Sequence, residues 1–271
     1  MKAFPFTHNV PIANSVTPGT IHIMYDPVQK AEETAKIVCR GERRKYRRFR
    51  PARFYGGIAT ADCVGCCLRC IFCWSWHELA RCQAIGEFYT PEQVAARLTK
   101  IARKNDFDRV RISGHEPTLC REHLVGVLEH LPSNLLFILE TNGILIGHDA
   151  TYAAVLARFE NLYVRVSFKG TSEKEFSRLT GAVPEGFLLQ LTAVENLHRA
   201  GVRVQPAVMT SFSSPENVAA LSKRLAEISP ELADIEAEEL VLYGNVAERL
   251  KRVGVHYRSA CRPDKISPEQ V

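Results

Sequence analysis

Short apolar runs alternate with longer segments of helical period along most of this chain. The runs at 54–59, 110–113, 135–139, 162–167, 202–209 and 240–243 have the length and the β-branched content of buried strands. Between them, apolar positions recur at helical spacing over 122–130, 151–159, 188–200 and 215–228. A further helix starts at Thr90, with Pro91 in its first position and Gln93 placed to complete a capping box; Ser214 caps the segment that begins at Pro215. Six strands joined by helices predict a parallel sheet, because parallel neighbours need a crossover between them. The expected organisation is an N-terminal extension over 1–53 without a clear period, an α/β core over 54–245 and a C-terminal tail over 246–271.

In such a fold the chemistry collects where strands end and the following loops begin. Four successive strand ends here carry polar, turn-forming residues. The first is followed by a cysteine-rich loop, the second by Gly114-His115-Glu116-Pro117, the third by Glu140-Thr141-Asn142-Gly143 and the fourth by Ser167-Phe168-Lys169-Gly170. This repetition predicts one shared rim.

Composition narrows the class. With 271 residues, 46% hydrophobic and 24% charged, the chain is long enough for one sizeable core. Nine cysteines, five of them between 63 and 73, point to metal binding in a reducing compartment rather than to a disulfide framework. No segment has the apolar length of a signal sequence or a membrane span, so a cytoplasmic protein without membrane association is expected. The net charge of +5 is mild, but it is concentrated. Arg43, Arg44, Lys45, Arg47, Arg48 and Arg50, interleaved with Tyr46 and Phe49, suit a phosphate backbone with stacked bases. More often such a run is a solvated helix face, or it pairs with acidic stretches such as Glu236-Ala-Glu238-Glu239.

The cysteine loop reads Cys63-Val-Gly-Cys66-Cys67-Leu-Arg-Cys70-Ile-Phe-Cys73-Trp74. The spacing Cys66-x3-Cys70-x2-Cys73, with Phe72 before the last cysteine, resembles the signature of the radical S-adenosylmethionine (radical SAM) superfamily. The resemblance implies a partial (β/α)6 barrel in which Cys66, Cys70 and Cys73 ligate three irons of a 4Fe–4S cluster. S-adenosyl-L-methionine would then chelate the fourth iron and be cleaved reductively to a 5′-deoxyadenosyl radical that abstracts hydrogen from a substrate. Soft, anionic thiolates suit that work. Cys63-x3-Cys67-x2-Cys70 has the same spacing but carries Arg69 before its last cysteine, so the later register is preferred.

Further segments agree with this resemblance. Gly114-His115-Glu116-Pro117 is similar to the superfamily's Gly-Gly-Glu-Pro segment at the SAM amino group, with His115 in place of the second glycine. Thr141, Asn142, Ser167 and Lys169 resemble positions that line the ribose and carboxylate of SAM in activating-enzyme members. The family comparison therefore implies an oxidoreductase of the glycyl-radical activase kind, with a protein substrate and a flavodoxin- or ferredoxin-like electron donor. Phe54-Tyr55-Gly56, Cys70-Ile-Phe-Cys73-Trp74 and Asn142-Gly-Ile-Leu145 also look like the archaeal radical SAM enzyme that forms the wybutosine base. That likeness makes a tRNA-modifying enzyme, gripping RNA through Arg43 to Arg50, the alternative. In that family a second cluster sits on upstream cysteines, for which Cys39, Cys63 and Cys67 are candidates here. A non-catalytic iron–sulfur or zinc module remains as a reading from another class; it would need a fourth protein ligand, Cys63 or Cys67.

Overall fold

A computed structural model describes residues 24–266. The first 23 positions of the expected extension and the last five of the expected tail lie outside the described residues. The chain enters through helix α1 (Pro27–Val38), capped by Asp26, whose carboxylate accepts from the backbone N–H of Val28 and Gln29. Strands β1 (Cys39–Arg40) and β2 (Arg43–Ala52) follow, then β3 (Ile58–Cys63), the cysteine loop, α2 (Trp76–Ala80) and β4 (Glu87–Tyr89). Next come α3 (Pro91–Asn105), β5 (Arg109–Ser113), α4 (Arg121–His130), β6 (Leu136–Thr141), α5 (Ile144–His148), α6 (Ala150–Leu156) and β7 (Leu162–Phe168). The last part holds α7 (Glu173–Thr180), α8 (Glu185–Arg199), β8 (Val204–Met209), α9 (Pro215–Ala226), β9 (Glu236–Glu238) and α10 (Val246–Arg252).

Strands β3, β5, β6, β7, β8 and β9 pair in that order, all parallel. They form the six-stranded part of a mixed α/β sheet that stays open, as in a partial (β/α)6 barrel. On its β3 side the sheet is extended by antiparallel β2, which in turn pairs with β1 and β4. The basic run is thus a strand and not a helix face. Its residues lie within the stretch expected to be an extension, yet they hydrogen-bond directly to the first core strand.

Four of the six core strands fall where the apolar runs place them; the first and last differ. Residues 54–56 form a short 3₁₀ turn, and β3 begins only at Ile58. Gly57, with φ of 124°, explains the shift: a Cβ there would stand 2.5 Å from the Phe107 ring, so the chain bends before it can pair. The last strand is Glu236–Glu238, and the apolar 240–243 run follows it, with Val241 bridging Cys261. A strand with glutamates at both ends gives no hydrophobic signal.

Strand alternation separates two faces. Ala59, Ala61, Val110, Ile112, Phe137, Leu139, Val164, Val166 and Val208 are buried in the hydrophobic core. That core is completed by helix residues such as Leu98, Leu124, Phe187, Val194 and Leu197. On the opposite face most of their strand neighbours are polar (Arg48, Arg50, Thr60, Asp62, Arg111, Ser113, Glu140, Arg165, Ser167, Glu236 and Glu238), with Ile58, Ile138 and Ala207 among them. A barrel lining this polar is unsuited to an aliphatic core and suited to a polar ligand.

Candidate active site

The cysteine loop leaves the C-terminal end of β3 and is held on several sides. The Ile71 N–H donates to the Leu179 carbonyl (2.9 Å), and the Arg69 N–H donates to the Tyr25 hydroxyl (2.8 Å), which donates to the Thr180 carbonyl. The Cys73 N–H donates to the Cys70 carbonyl at 3.0 Å, closing a turn that brings these two cysteines together. Cys70 is buried; Cys66 and Cys73 are half-buried. Cys63 and Cys67 are buried within the hydrophobic core. Sγ of Cys66 accepts from the Leu68 N–H (3.4 Å) and lies 3.7 Å from Asn142 Nδ2, which also donates to Cys67 Sγ at 3.2 Å.

These environments move the thiols apart. The hydrogen bond from Cys67 lowers Cys66, which favours its thiolate, whereas Cys67 itself is raised. Burial pushes Cys70 up, and Cys73 is pushed up to about 11; the Lys169 charge opposes both. A soft cation displaces such protons on binding. N–H groups aimed at sulfur, together with three reduced thiols on one loop, fit an iron–sulfur cluster. Among the described residues, no three His, Cys, Asp or Glu side chains meet closely enough to hold a single metal ion. A 4Fe–4S cluster needs a wider spread, because each thiolate ligates a different iron. Of the upstream cysteines considered for a second cluster, Cys39 is disulfide-bonded to Cys120, while Cys63 and Cys67 are free.

The Gly114–Pro117 segment packs against the start of the cysteine loop. Gly114 has φ of 93°, and a Cβ there would meet the Cys63 carbonyl at 3.0 Å, so the two strand ends approach backbone to backbone. His115 turns its ring into the cysteine loop. Its Nδ1 lies 3.3 Å from the Gly65 N–H, and its Nε2 lies 3.4 Å from the Ser75 carbonyl. Nδ1 also lies 3.1 Å from the Cys63 carbonyl, so the ring joins both ends of the loop, and burial lowers its pKa, which favours the neutral ring. The Glu116 N–H donates to the Gly65 carbonyl at 3.0 Å. Its carboxylate accepts from the Thr118 N–H and hydroxyl, the Thr141 hydroxyl and the Asn142 N–H. Within the segment expected at the amino group of SAM, this carboxylate is engaged by the chain's own donors. Pro117 and Glu116 present their carbonyls to the buried Arg44 guanidinium (2.9 and 2.6 Å).

Thr141 and Asn142 belong to the same tie. Asn142 Oδ1 accepts from the Ile144 N–H, and its carbonyl accepts from Gln190 Nε2 at 2.7 Å. Gln190, on α8, also donates to the Ser167 carbonyl, joining the third and fourth strand ends. Ser167 Oγ donates to Glu238 at 2.7 Å, and Lys169 donates to Ser167 while standing 3.9 Å from Glu238. The positive charge of Lys169 also works against the upward push of burial on Cys70 and Cys73.

Several polar residues on this face have no motif to announce them. Arg165 pairs with Glu236 (2.7 Å) and Glu238 (2.6 Å). Arg111 pairs with Glu140 at 2.8 Å, where the Tyr55 hydroxyl and Ser113 also donate. Burial alone would raise Glu140 and Glu238, but Arg111 and Arg165 hold the first below the usual range. Lys169 and Arg165 bring the second down to about 2. Of the basic run, Arg44 and Lys45 are buried, Arg48 and Arg50 share Asp62, and Arg47 pairs with Glu78.

The family model that matches is the radical SAM superfamily, over residues 62–218. Among solved structures, Streptococcus suis SuiB bound to precursor peptide SuiA is similar in fold, with a TM-score of 0.50 and 19% identity. The match covers 72% of this chain and 40% of SuiB, so the chain spans less than half of SuiB's length. TYW1 with a lysine-pyruvate adduct bound matches with TM-score 0.47 and 18% identity, over 67% of this chain and 64% of that one. Spore photoproduct lyase complexed with dinucleoside spore photoproduct gives 0.47 and 11%, over 72% and 60%. No curated protein sequence matches. The chain belongs to the radical SAM superfamily, whose members use a 4Fe–4S cluster and S-adenosylmethionine. Among the described residues no helix is long and apolar enough to cross a membrane.

Proposed function

We propose that Cys66, Cys70 and Cys73 hold the cluster and that the rim from Gly114 to Lys169 receives S-adenosylmethionine, in an enzyme of the glycyl-radical activase kind. The observation that carries this reading is the meeting of the cysteine loop with the other three strand ends around the buried Glu116 carboxylate and the Lys169 ammonium. When bound, the cluster and S-adenosylmethionine supply reductive cleavage of a sulfonium bond and, from it, hydrogen-atom abstraction.

The chain's own residues would divide the remaining work. Asn142 and the Leu68 N–H stabilise the Cys66 sulfur. Gly114, His115, Glu116 and Pro117 bring backbone, not the Glu116 carboxylate, toward the ligand. Thr141 and Asn142 hold that backbone in place. Ser167 and Lys169 offer a hydroxyl and a positive charge to a carboxylate. Lys169 would exchange its distant Glu238 partner for it.

A protein or peptide substrate is favoured over RNA. The sheet is open, so a segment of another chain can enter beside it, and SuiB, similar in fold, is bound to a precursor peptide. The basic run is largely spent on internal partners; among the described residues Arg43 is exposed and has no ion-pair partner. A reducing, cytoplasmic setting with a flavodoxin- or ferredoxin-like donor is the reading that keeps the five loop cysteines as thiols; among the described residues, the Cys39–Cys120 disulfide is the one feature that points the other way.

Anaerobic reconstitution tests the reading. The expected result is a reducible cluster of ~4 irons per chain that, with dithionite and S-adenosylmethionine, releases methionine and 5′-deoxyadenosine. Zinc in place of iron, with no nucleoside released, would overturn it.

A further inference from the structure

The C-terminal helix α10 lies beyond the residues that match the family, yet one of its side chains reaches the cysteine loop. Arg249 is only 9% exposed. Its Nε donates to the Ile71 carbonyl and its Nη2 to the Cys73 carbonyl, both at 2.6 Å. These two N–H groups lie on one edge of the planar guanidinium, so the fork grips the outer side of the Cys70–Cys73 turn at two points. Nη1 donates to Asn245 Oδ1 at 3.2 Å, and the guanidinium lies 5.0 Å from the centre of the Trp76 ring.

None of those three hydrogen-bond partners is a carboxylate. A permanent cation is therefore held in a largely dry place by neutral oxygens, an arrangement that costs free energy unless an anion stands close by. The anion that can stand close by is Cys73, whose carbonyl it grips and whose thiol becomes anionic on binding metal.

We infer that Arg249 is a positioning residue for the cluster: its fork fixes the Cys70–Cys73 turn, and its charge, which has no carboxylate partner among the described residues, favours the reduced cluster held there. The inference rests on the assignment of Cys70 and Cys73 as ligands made above. Arg249 touches no reacting atom; it acts through the turn and through its field.

Two variants of the full chain separate fork from charge. Arg249→Lys keeps the charge and loses the planar fork, and Arg249→Gln loses both. In the metal-free proteins, hydrogen exchange of the amides between 71 and 75 is expected to quicken about tenfold or more in both variants, with remote strands unchanged. In the reconstituted proteins, a redox titration followed by electron paramagnetic resonance is expected to show Arg249→Lys near the native potential. Arg249→Gln should be harder to reduce, by about tenfold in the equilibrium constant, or ~59 mV for a one-electron couple.

Native exchange in both variants overturns the positioning role, and a native potential in Arg249→Gln overturns the electrostatic one. If Arg249→Gln takes up no iron, Arg249→Lys decides: faster exchange with a native potential supports the inference, and native exchange overturns it. The exchange measurement needs no cluster. A native protein that takes up iron but releases no 5′-deoxyadenosine would therefore defeat the proposed activity while leaving the role of Arg249 to be read separately.

Discussion

The Asn142 backbone N–H donates to Glu116 Oε2 across 2.8 Å, joining the loop after β6 to the loop after β5. The other carboxylate oxygen collects the Thr141 hydroxyl (2.7 Å), the Thr118 hydroxyl (2.6 Å) and the Thr118 N–H (3.1 Å). One buried carboxylate thus fixes the spacing of two rim segments, and the Glu116 backbone N–H, donating to the Gly65 carbonyl, reaches a third. Rim geometry is set before any ligand arrives, which is what an orienting site requires.

Glu116→Ala is therefore expected to destabilise the metal-free protein strongly. The N–H groups of Thr118 and Asn142 would remain buried without an acceptor, each at roughly 1–3 kcal/mol. The summed loss of about 4 kcal/mol corresponds to a melting temperature lower by roughly 10 °C for a chain of this size. Glu116→Gln keeps one acceptor oxygen and should fall about halfway. A thermal melt of Glu116→Ala within 2–3 °C of the native one would contradict the tie.

The two cysteine registers give opposite outcomes. If Cys66, Cys70 and Cys73 are the ligands, alanine at any of them should leave under about one iron of the expected ~4. Alanine at Cys63 or Cys67 should leave the iron content near native, with a stability loss of about 1 kcal/mol from the missing buried sulfur. Iron and sulfide analysis of the five variants decides. Loss of iron in Cys67→Ala with retention in Cys73→Ala would reverse the assignment.

Arg165 balances two carboxylates on the polar face. Arg165→Met should cost about 3–5 kcal/mol, because Glu236 and Glu238 would be left facing each other without their cation. Adding Glu238→Gln to that variant should restore part of the loss, a coupling that a double-mutant cycle measures directly. Strict additivity of the two substitutions would show that the network contributes little.

Legibility in the sequence followed the physics of each element. Strands β5 to β8 bury one face under helices, so their apolar runs are visible. Strand β9 carries Glu236 and Glu238 toward Arg165, and β2 carries Arg48 and Arg50 toward Asp62; a strand whose signal is charge does not look like a strand. The capping box at Thr90 and the cap at Ser214 were readable because caps are local. The cysteine loop was readable because cysteine is scarce and its spacing carries chemistry. Gln190, Arg44 and Arg249 were not, since each acts on a backbone carbonyl far away in sequence, and no spacing rule encodes such a contact. The same limit explains Glu116: its place in the second strand-end loop could be read, but not the donors that converge on it.

His123 makes the stability of the fold sensitive to acid in a defined window. Its Nδ1 lies 2.7 Å from the Glu42 carbonyl and its Nε2 lies 2.9 Å from the Tyr46 hydroxyl. A neutral ring with its proton on Nδ1 donates to the first and accepts from the second, so both buried partners are satisfied. Burial disfavours the charged ring and lowers its pKa from 6.5 to about 4. The unfolded chain therefore takes up this proton first as the pH falls. The contribution of His123 is complete above pH ~6.5, declines between ~6.5 and ~4 and levels off below that, for a total of about 3 kcal/mol. Replacing it by glutamine, which does not titrate, should flatten the stability profile in that window. The same variant should be about 1–2 kcal/mol less stable than the native protein at pH 8, where the native ring is neutral and better fitted. Chemical denaturation of both proteins at intervals from pH 8 to pH 4 supplies the comparison; parallel profiles would show that another group governs the acid limb.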